Sequence, residues 1–331
     1  MADILMHPYN GWLPYKLERI NNQLLCRWLY FNTKAFTEPF FDETIAKCKS
    51  LAFNSTPFKS FTTLNLLEDL TRNIDAAAPK AIIFHISRCG STLLSQLLGL
   101  AANHLVLSEV PLFDELLRLR YRPYYRQEDY KLYLKAAIKL YPQKRTGTES
   151  QLFIKADSWH IFFWRELREM YPDVPFIFLY RSPDEVIRSH QKLRGMQAVP
   201  GVIEPEIFGF SENKNAEISL DGYMIQVLEK YFAEFIEVSA KDRLSSLINY
   251  SEGPMGMVQK VSEATGINYT KEEWAAIKER SRYNAKHPHL AFSENGRAEI
   301  LPSLKTVNSL YTKLERIRLK NQCPNFSSIN E

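Results

Sequence analysis

Two short stretches carry residue types that could hold an anion. The first, AIIFHI-SRCGST-LLSQLLGL (81–100), passes from an apolar run through a turn into a helical pattern. Gly90 followed by Ser91 and Thr92 would open a helix there, bringing several backbone N–H groups and the positive helix end to one point. Against the Walker pattern GxxxxGK[ST], Gly90 matches the second glycine and Thr92 the last hydroxyl. His85 stands for the first glycine, and Ser91 for the lysine that reaches β- and γ-phosphates. Arg88 offers a different cation, which suits an anion other than a triphosphate. The plainer alternative is a strand–helix turn whose glycine only relieves backbone strain.

The second stretch, FIFLY-R-SPDEVIRS (176–189), runs from an apolar strand pattern into a helix. Ser182 is the expected N-cap, Pro183 the first helical residue and Glu185 the reciprocal partner of a capping box. Arg181 then falls at the carboxyl end of the strand, where ligands gather in open α/β sheets, with Ser189 two turns into the helix. The two could converge on one anion. Equally, Arg181 could pair with a carboxylate and Ser189 be a surface hydroxyl.

Such anchors need a sheet beneath them. From Lys80 the pattern alternates strand and helix, with strands expected at 81–86, 152–155, 175–180 and 247–250. Helices are expected after Ser91, in two pieces over 110–141 broken near Arg122–Pro123, and at 159–170, 222–239 and 254–265. Strands separated by helices imply a parallel sheet. Before that frame, residues 23–31 read as a strand and 60–73 as a helix through Phe61, Leu64, Leu67 and Leu70, with a junction at 76–80. Residues 1–78 are therefore expected as an accessory segment, strand plus helix, packed on the α/β domain of 79–331. The last dozen residues read as a frayed tail.

Composition narrows the function class. The 331 residues are 45% hydrophobic and 24% charged, which excludes wholesale disorder. Lys and Arg number 42 against 38 Asp and Glu, a net charge of +4. That excess is too small for a nucleic-acid coat but suits one anion-binding cleft. Cys26, Cys48, Cys89 and Cys323 show neither CxxC pairing nor histidines at metal spacing, so reduced thiols in the cytoplasm are expected. The N-terminus lacks the apolar core of a secretory signal, and the longest apolar runs fall far short of the ~20 residues of a membrane span.

SRCGST after one strand and LYRSPDEVIRSH after another resemble the PAPS-dependent sulfotransferase family, closest to its bacterial and tyrosylprotein-type branch, whose loop reads R-S-G-T-T. The resemblance covers about residues 80–270. It implies an α/β, three-layer P-loop-type fold with a central, mainly parallel sheet flanked by helices, here with the N-terminal accessory segment added. It also implies transfer of a sulfuryl group from 3′-phosphoadenosine 5′-phosphosulfate (PAPS) to a hydroxyl or amine of a small-molecule or peptide acceptor, with no metal required. Arg88, Cys89, Gly90, Ser91 and Thr92 would hold the phosphosulfate end, Cys89 departing from the usual serine. Arg181 and Ser189 would hold the 3′-phosphate. HLVLSEVPLFDELLRL resembles the stretch carrying the family's catalytic glutamate, placing it on Glu109, and LFIKADSW the segment with its catalytic lysine, placing it on Lys155. LINYSEGPMGMVQKVSEATGI resembles the late Y-E-D-L segment; Tyr250 takes the tyrosine position, while Ser251 and Glu252 leave the acidic one shifted.

Sulfuryl transfer should run like phosphoryl transfer, in line and through a loose transition state. Arg88 and Lys155 would then offset charge on the leaving phosphate, and Glu109 would act as general base. Glu109 could instead be a carboxylate favoured by a helix N-terminus, and Lys155 a strand-end lysine reaching solvent. His190 reads as a surface or packing residue, and Trp159, Phe162, Phe163 and Trp164 as core. Lys286 and Arg297, near His287 and His289, match a late cofactor-closing loop only loosely. Tyr121–Tyr133 could line an acceptor cleft or begin an amphipathic helix. Acceptor specificity should reside in 1–78, 111–145 and 195–220, the last containing an expected flap at 196–210. Two other classes remain open: a P-loop small-molecule kinase, and a non-catalytic nucleotide-binding protein on the same fold.

Overall fold

Weak alternation in the first sixty residues produces an antiparallel layer. The computed structural model describes residues 9–72, 74, 79–122, 130–143, 148–211, 218–283 and 303–322. Strands β1 (Trp12–Ile20), β2 (Gln23–Tyr30) and β3 (Ser60–Thr63) pair in that order, with helices α1 (Phe41–Lys49) and α2 (Asn65–Thr71) alongside. Asn21 and Asn22, both at positive φ, make the two-residue turn between β1 and β2, a conformation asparagine tolerates well. The helix expected over 60–73 begins only at Asn65. Phe61 instead sits opposite Arg27 in β3, because pairing with β2 captures Ser60–Thr63 before the helical periodicity can.

Runs without alternation form strands buried on both faces. These are β4 (Pro79–His85), β5 (His104–Ser108), β6 (Gln151–Lys155), β7 (Phe176–Tyr180) and β8 (Ser245–Asn249). Their order is β5-β6-β4-β7-β8, and every neighbouring pair is parallel. Helices α3 (Ser91–Leu98), α4 (Pro111–Arg118), α5 (Tyr130–Leu140), α6 (Trp164–Met170), α7 (Pro183–Lys192), α8 (Leu220–Lys241), α9 (Gly253–Thr265), α10 (Lys271–Arg280) and α11 (Lys305–Gln322) flank this sheet. The expected α/β architecture is thus present, with all five strands pointing their carboxyl ends the same way.

The antiparallel layer docks on α4 and α5 through specific bonds. Leu17 N–H donates to the Glu115 carboxylate at 2.5 Å, and Tyr141 O–H donates to the Pro14 carbonyl at 2.5 Å. Tyr133 and Lys139 reach Asn65 and the Thr71 carbonyl, each at 2.6 Å. Burial pushes the Glu115 carboxyl up to about 7 despite the Leu17 amide.

Three expectations change. β5 was not foreseen: His104 opens it, yet its ring is buried against Phe153 and Tyr269, with Nδ1 2.7 Å from the Leu98 carbonyl. Of the tail expected from about 320, residues 320–322 close α11, whose Val307 and Leu314 are buried and which packs along α8, and 323–331 lie outside the described residues. The 196–210 flap is pinned by Arg118, which donates to Glu204 at 2.6 Å and to the Val202 carbonyl at 3.3 Å, while Ile203, Ile207 and Phe208 are buried. Cys26, Cys48 and Cys89 are buried; Cys323 lies outside the described residues. Among the described residues no helix is long and apolar enough to cross a membrane.

Candidate active site

Each strand of the parallel sheet delivers one singled-out group at its carboxyl end: Arg88–Thr92 after β4, Glu109 after β5, Lys155 at the end of β6, Arg181 after β7 and Tyr250 after β8. In the first loop Ser87, Arg88 and Gly90 all take positive φ, at 65°, 51° and 84°. For Ser87 and Arg88 this is a sparsely populated conformation that the surrounding structure must hold in place. Gly90 stands at the N-cap of α3 and, having no side chain, makes no cap hydrogen bond there. The glycine is also sterically required, since a Cβ there would lie 2.6 Å from the Tyr250 ring.

Cys89 follows Arg88 in this loop. Its side chain turns into the core, with Sγ 3.4 Å from the Leu179 carbonyl, and burial pushes the thiol up to about 12. Only its backbone remains for the loop. Ser91 is buried and Thr92 half-buried. Arg88 donates to the carbonyl of Leu193, just past α7, and Leu193 N–H donates to the Ser189 carbonyl at 3.2 Å. Ser189 is thereby tied to the first loop through one intervening residue, its side chain half-buried.

The second anchor meets the first through Tyr250. The Arg181 guanidinium lies 4.3 Å from the centre of the Tyr250 ring, whose edge is against Gly90. Arg181 also donates to Glu185 at 2.7 Å, so it does pair with a carboxylate. The capping box is altered as a result: Glu185 receives Arg181 and the Ser182 hydroxyl, and the Ser182 side chain makes no cap bond to the helix backbone.

At the other end, Lys155 and Glu109 form a pair at 2.5 Å, the Lys155 side chain fully enclosed and Glu109 half-buried. Glu109 turns back over the sheet because its own φ is 54°, while its N–H donates to the Lys155 carbonyl at 2.8 Å. Burial would raise this carboxyl, but the Lys155 ammonium outweighs it and holds it low. His85 was read only as a replaced glycine. Its Nδ1 accepts from Ser87 N–H at 3.0 Å, which leaves the proton on Nε2, 3.2 Å from Glu109 though not well aligned for a hydrogen bond. Burial lowers the His85 pKa and keeps the ring neutral. Phe40, at the start of α1, stacks 4.9 Å from the Lys155 ammonium, so the antiparallel layer contributes to this end of the cleft. Next along from Lys155, Asp157 is buried and raised well above the usual carboxylate range, by burial and then by the charges of Glu109 and Asp114.

Other expectations sort readily. His190 is a packing residue, fully buried, with Nδ1 accepting from Gly195 N–H at 3.2 Å. Trp159, Phe163 and Trp164 are core, and Phe162 stacks on Tyr231. Asp114, Asp157 and His160 place possible ligand atoms within 4.8 Å of one another. Asp114, however, is engaged by Trp159, His160 and Arg118, and His160 Nδ1 accepts from Asp157 N–H. The cluster is a hydrogen-bonded support beneath Lys155. Lys286, His287, His289 and Arg297, and 123–129 of the Tyr121–Tyr133 stretch, lie outside the described residues.

The chain is structurally similar to bacterial sulfotransferases. With STF9 from Mycobacterium avium it shares 15% identity at a TM-score of 0.45, over 80% of this chain and 81% of that one. With STF1 from Mycobacterium tuberculosis H37Rv the values are 14% and 0.44, over 76% and 82%. With a sulfotransferase from Alicyclobacillus acidocaldarius they are 16% and 0.41, over 74% and 96%. No family model and no curated protein sequence matches. At such identities the chemistry has to be argued from the residues.

Proposed function

We propose that the protein transfers a sulfuryl group from PAPS to a hydroxyl or amine acceptor. The observation that carries this reading is the convergence of five strand ends on one edge of the sheet, with a cation at each side of an open helix N-terminus. Arg88 and the glycine-capped N-terminus of α3 suit a 5′-phosphosulfate, and Arg181, stacked on Tyr250 against Gly90, suits a second anion on the same nucleotide. A kinase reading accounts for the first loop alone, and Ser91 leaves it without the lysine that β- and γ-phosphates require.

The bond to sulfur from the nucleotide phosphate breaks as the bond from the acceptor atom forms. The released electron pair goes to the phosphate oxygen, where Lys155 and Arg88 offset the charge. The acceptor's proton goes to Glu109. A carboxylate held low by an ammonium at 2.5 Å is a weak base. As Lys155 turns its charge toward the phosphate, Glu109 loses its counter-charge and its proton affinity rises when the acceptor attacks. His85 and the αL turn at Glu109 keep the carboxylate aimed during that exchange.

The test is equilibrium binding. In EDTA the protein should bind adenosine 3′,5′-bisphosphate at least about tenfold more tightly than ATP. A Mg²⁺-dependent preference for ATP would overturn the reading in favour of a kinase. Tight bisphosphate binding with no acceptor labelled in a screen with labelled donor would leave a nucleotide-binding protein.

A further inference from the structure

The residue before each nucleotide-side anchor is held by the C-terminal helix. Tyr180, which precedes Arg181, is fully buried and donates its hydroxyl to Glu315 of α11. Asn249, which precedes Tyr250, is 1% exposed and donates to the Tyr311 hydroxyl of α11 at 2.9 Å. Arg318, one turn further on, takes both oxygens of Glu315, at 2.9 and 2.7 Å, and reaches Glu252 at 3.1 Å. Glu252 in turn receives Asn249 N–H at 3.1 Å and Lys260 at 3.3 Å. One turn of helix therefore grips the ends of β7 and β8 at the two points from which Arg181 and Tyr250 project.

We infer that Tyr311, Glu315 and Arg318 of α11 are positioning residues for the site that takes the nucleotide's 3′-phosphate. The inference rests on the nucleotide reading of Arg181 and Tyr250, and adds a helix that no motif in the chain marks. The physical reason is rigidity. Arg181 has to be aimed without its stack on Tyr250 slipping, and a half-buried network with its charges matched fixes both strand ends as one unit. A 3′-phosphate bound by Arg181 would in turn favour the docked position of α11, because coupling between two equilibria is reciprocal. The phosphosulfate loop and the Lys155–Glu109 pair lie on β4, β5 and β6, which α11 does not grip in this way.

That division supplies the test. Affinities for adenosine 3′,5′-bisphosphate and for adenosine 5′-monophosphate, which lacks the 3′-phosphate, are measured by calorimetry on the full chain. Tyr311→Phe, which deletes only the hydroxyl, and Glu315→Gln, which leaves an acceptor but no charge, should each weaken the bisphosphate about tenfold, with the monophosphate unchanged. Hydrogen exchange at α11 should slow on adding the bisphosphate and not on adding the monophosphate. Equal weakening of both ligands would reduce α11 to a structural role, and no change in either would remove it from the site; both results overturn the inference. A wild-type chain that does not prefer the bisphosphate over the monophosphate would instead sink the nucleotide reading itself. Tyr311→Phe keeps the ring and its packing, so a folding failure in Glu315→Gln leaves a usable variant.

Discussion

At the Arg181 side of the cleft each anchor has a second residue behind it, whereas at the Lys155 side two charges chiefly hold each other. Arg181 has Tyr250 and Glu185, and the strand ends beneath are bound to α11 by several hydrogen bonds. Lys155 is enclosed, with Glu109 as its ion-pair partner at 2.5 Å and Phe40 across its ammonium. Left-handed backbone at Ser87, Arg88 and Glu109 stores strain on this side. The Arg181 side is thus held by many contacts. The Lys155 side is built around one pair, and the proposed base activated by donor binding would need that pair to exchange partners.

The largest effect should come from splitting that pair. Glu109→Gln is expected to lower sulfuryl transfer by roughly 10²–10⁴-fold. It also leaves the Lys155 ammonium buried without a counter-charge, a destabilisation of about 3–5 kcal/mol. Adding Lys155→Met to the same chain should recover most of that stability in urea titrations and none of the transfer. A Glu109→Gln protein as stable as wild type would mean the pair is not what holds this side. Because the folded-state pKa of Glu109 is lowered, the pair's stabilisation is present above the unfolded value and is lost as pH falls through the folded one. The wild type should therefore lose more stability in acid than the Gln variant does.

A second test separates the two sides by pH. Glu115 attaches the layer that carries Phe40, and its carboxyl is raised to about 7, so the fold favours the neutral form. That contribution is complete below the unfolded value and is lost as pH rises through about 7. Glu115→Gln should gain about 3 kcal/mol over wild type at pH 8 and little at pH 4. Thermal melts across that range would read it; parallel curves for the two proteins would contradict the role given to Glu115. The smallest effect expected is at the junction of the two sides. Gly90→Ala adds a Cβ at positive φ against Tyr250, for about 1–3 kcal/mol of stability lost. Tyr250→Ala in the same chain should restore the steric part and leave the backbone part.

Four of the five parallel strands were legible because their residues are apolar on both faces. β5 was hidden by a histidine whose polar atoms are satisfied inside the core. The anchors at Gly90 and Arg181 could be read because turn and cap chemistry is local. Glu109 and Lys155 were located only by resemblance, since nothing local says that a residue after β5 will meet the end of β6. His85, Phe40, Tyr311 and Glu315 could not be found that way at all. Each matters through a partner distant in sequence, and no spacing rule links Phe40 to Lys155 or Glu315 to Tyr180. Cys89 sits in the motif with its thiol in the core, so what it could lend the loop is its backbone.

The docking of the antiparallel layer also has a consequence for synthesis. Residues 12–71 emerge from the ribosome first, carrying Leu13, Leu17, Phe41 and Ile45, which end buried in the finished molecule. Their partners Glu115, Tyr133, Lys139 and Tyr141 follow later, and Lys155 for Phe40 later still. At ordinary elongation rates the wait is on the order of ten seconds. For that interval the nascent layer presents an apolar underside and an unpaired sheet edge, making it the stretch of the chain most in need of a chaperone before the enclosure of Lys155 can be completed.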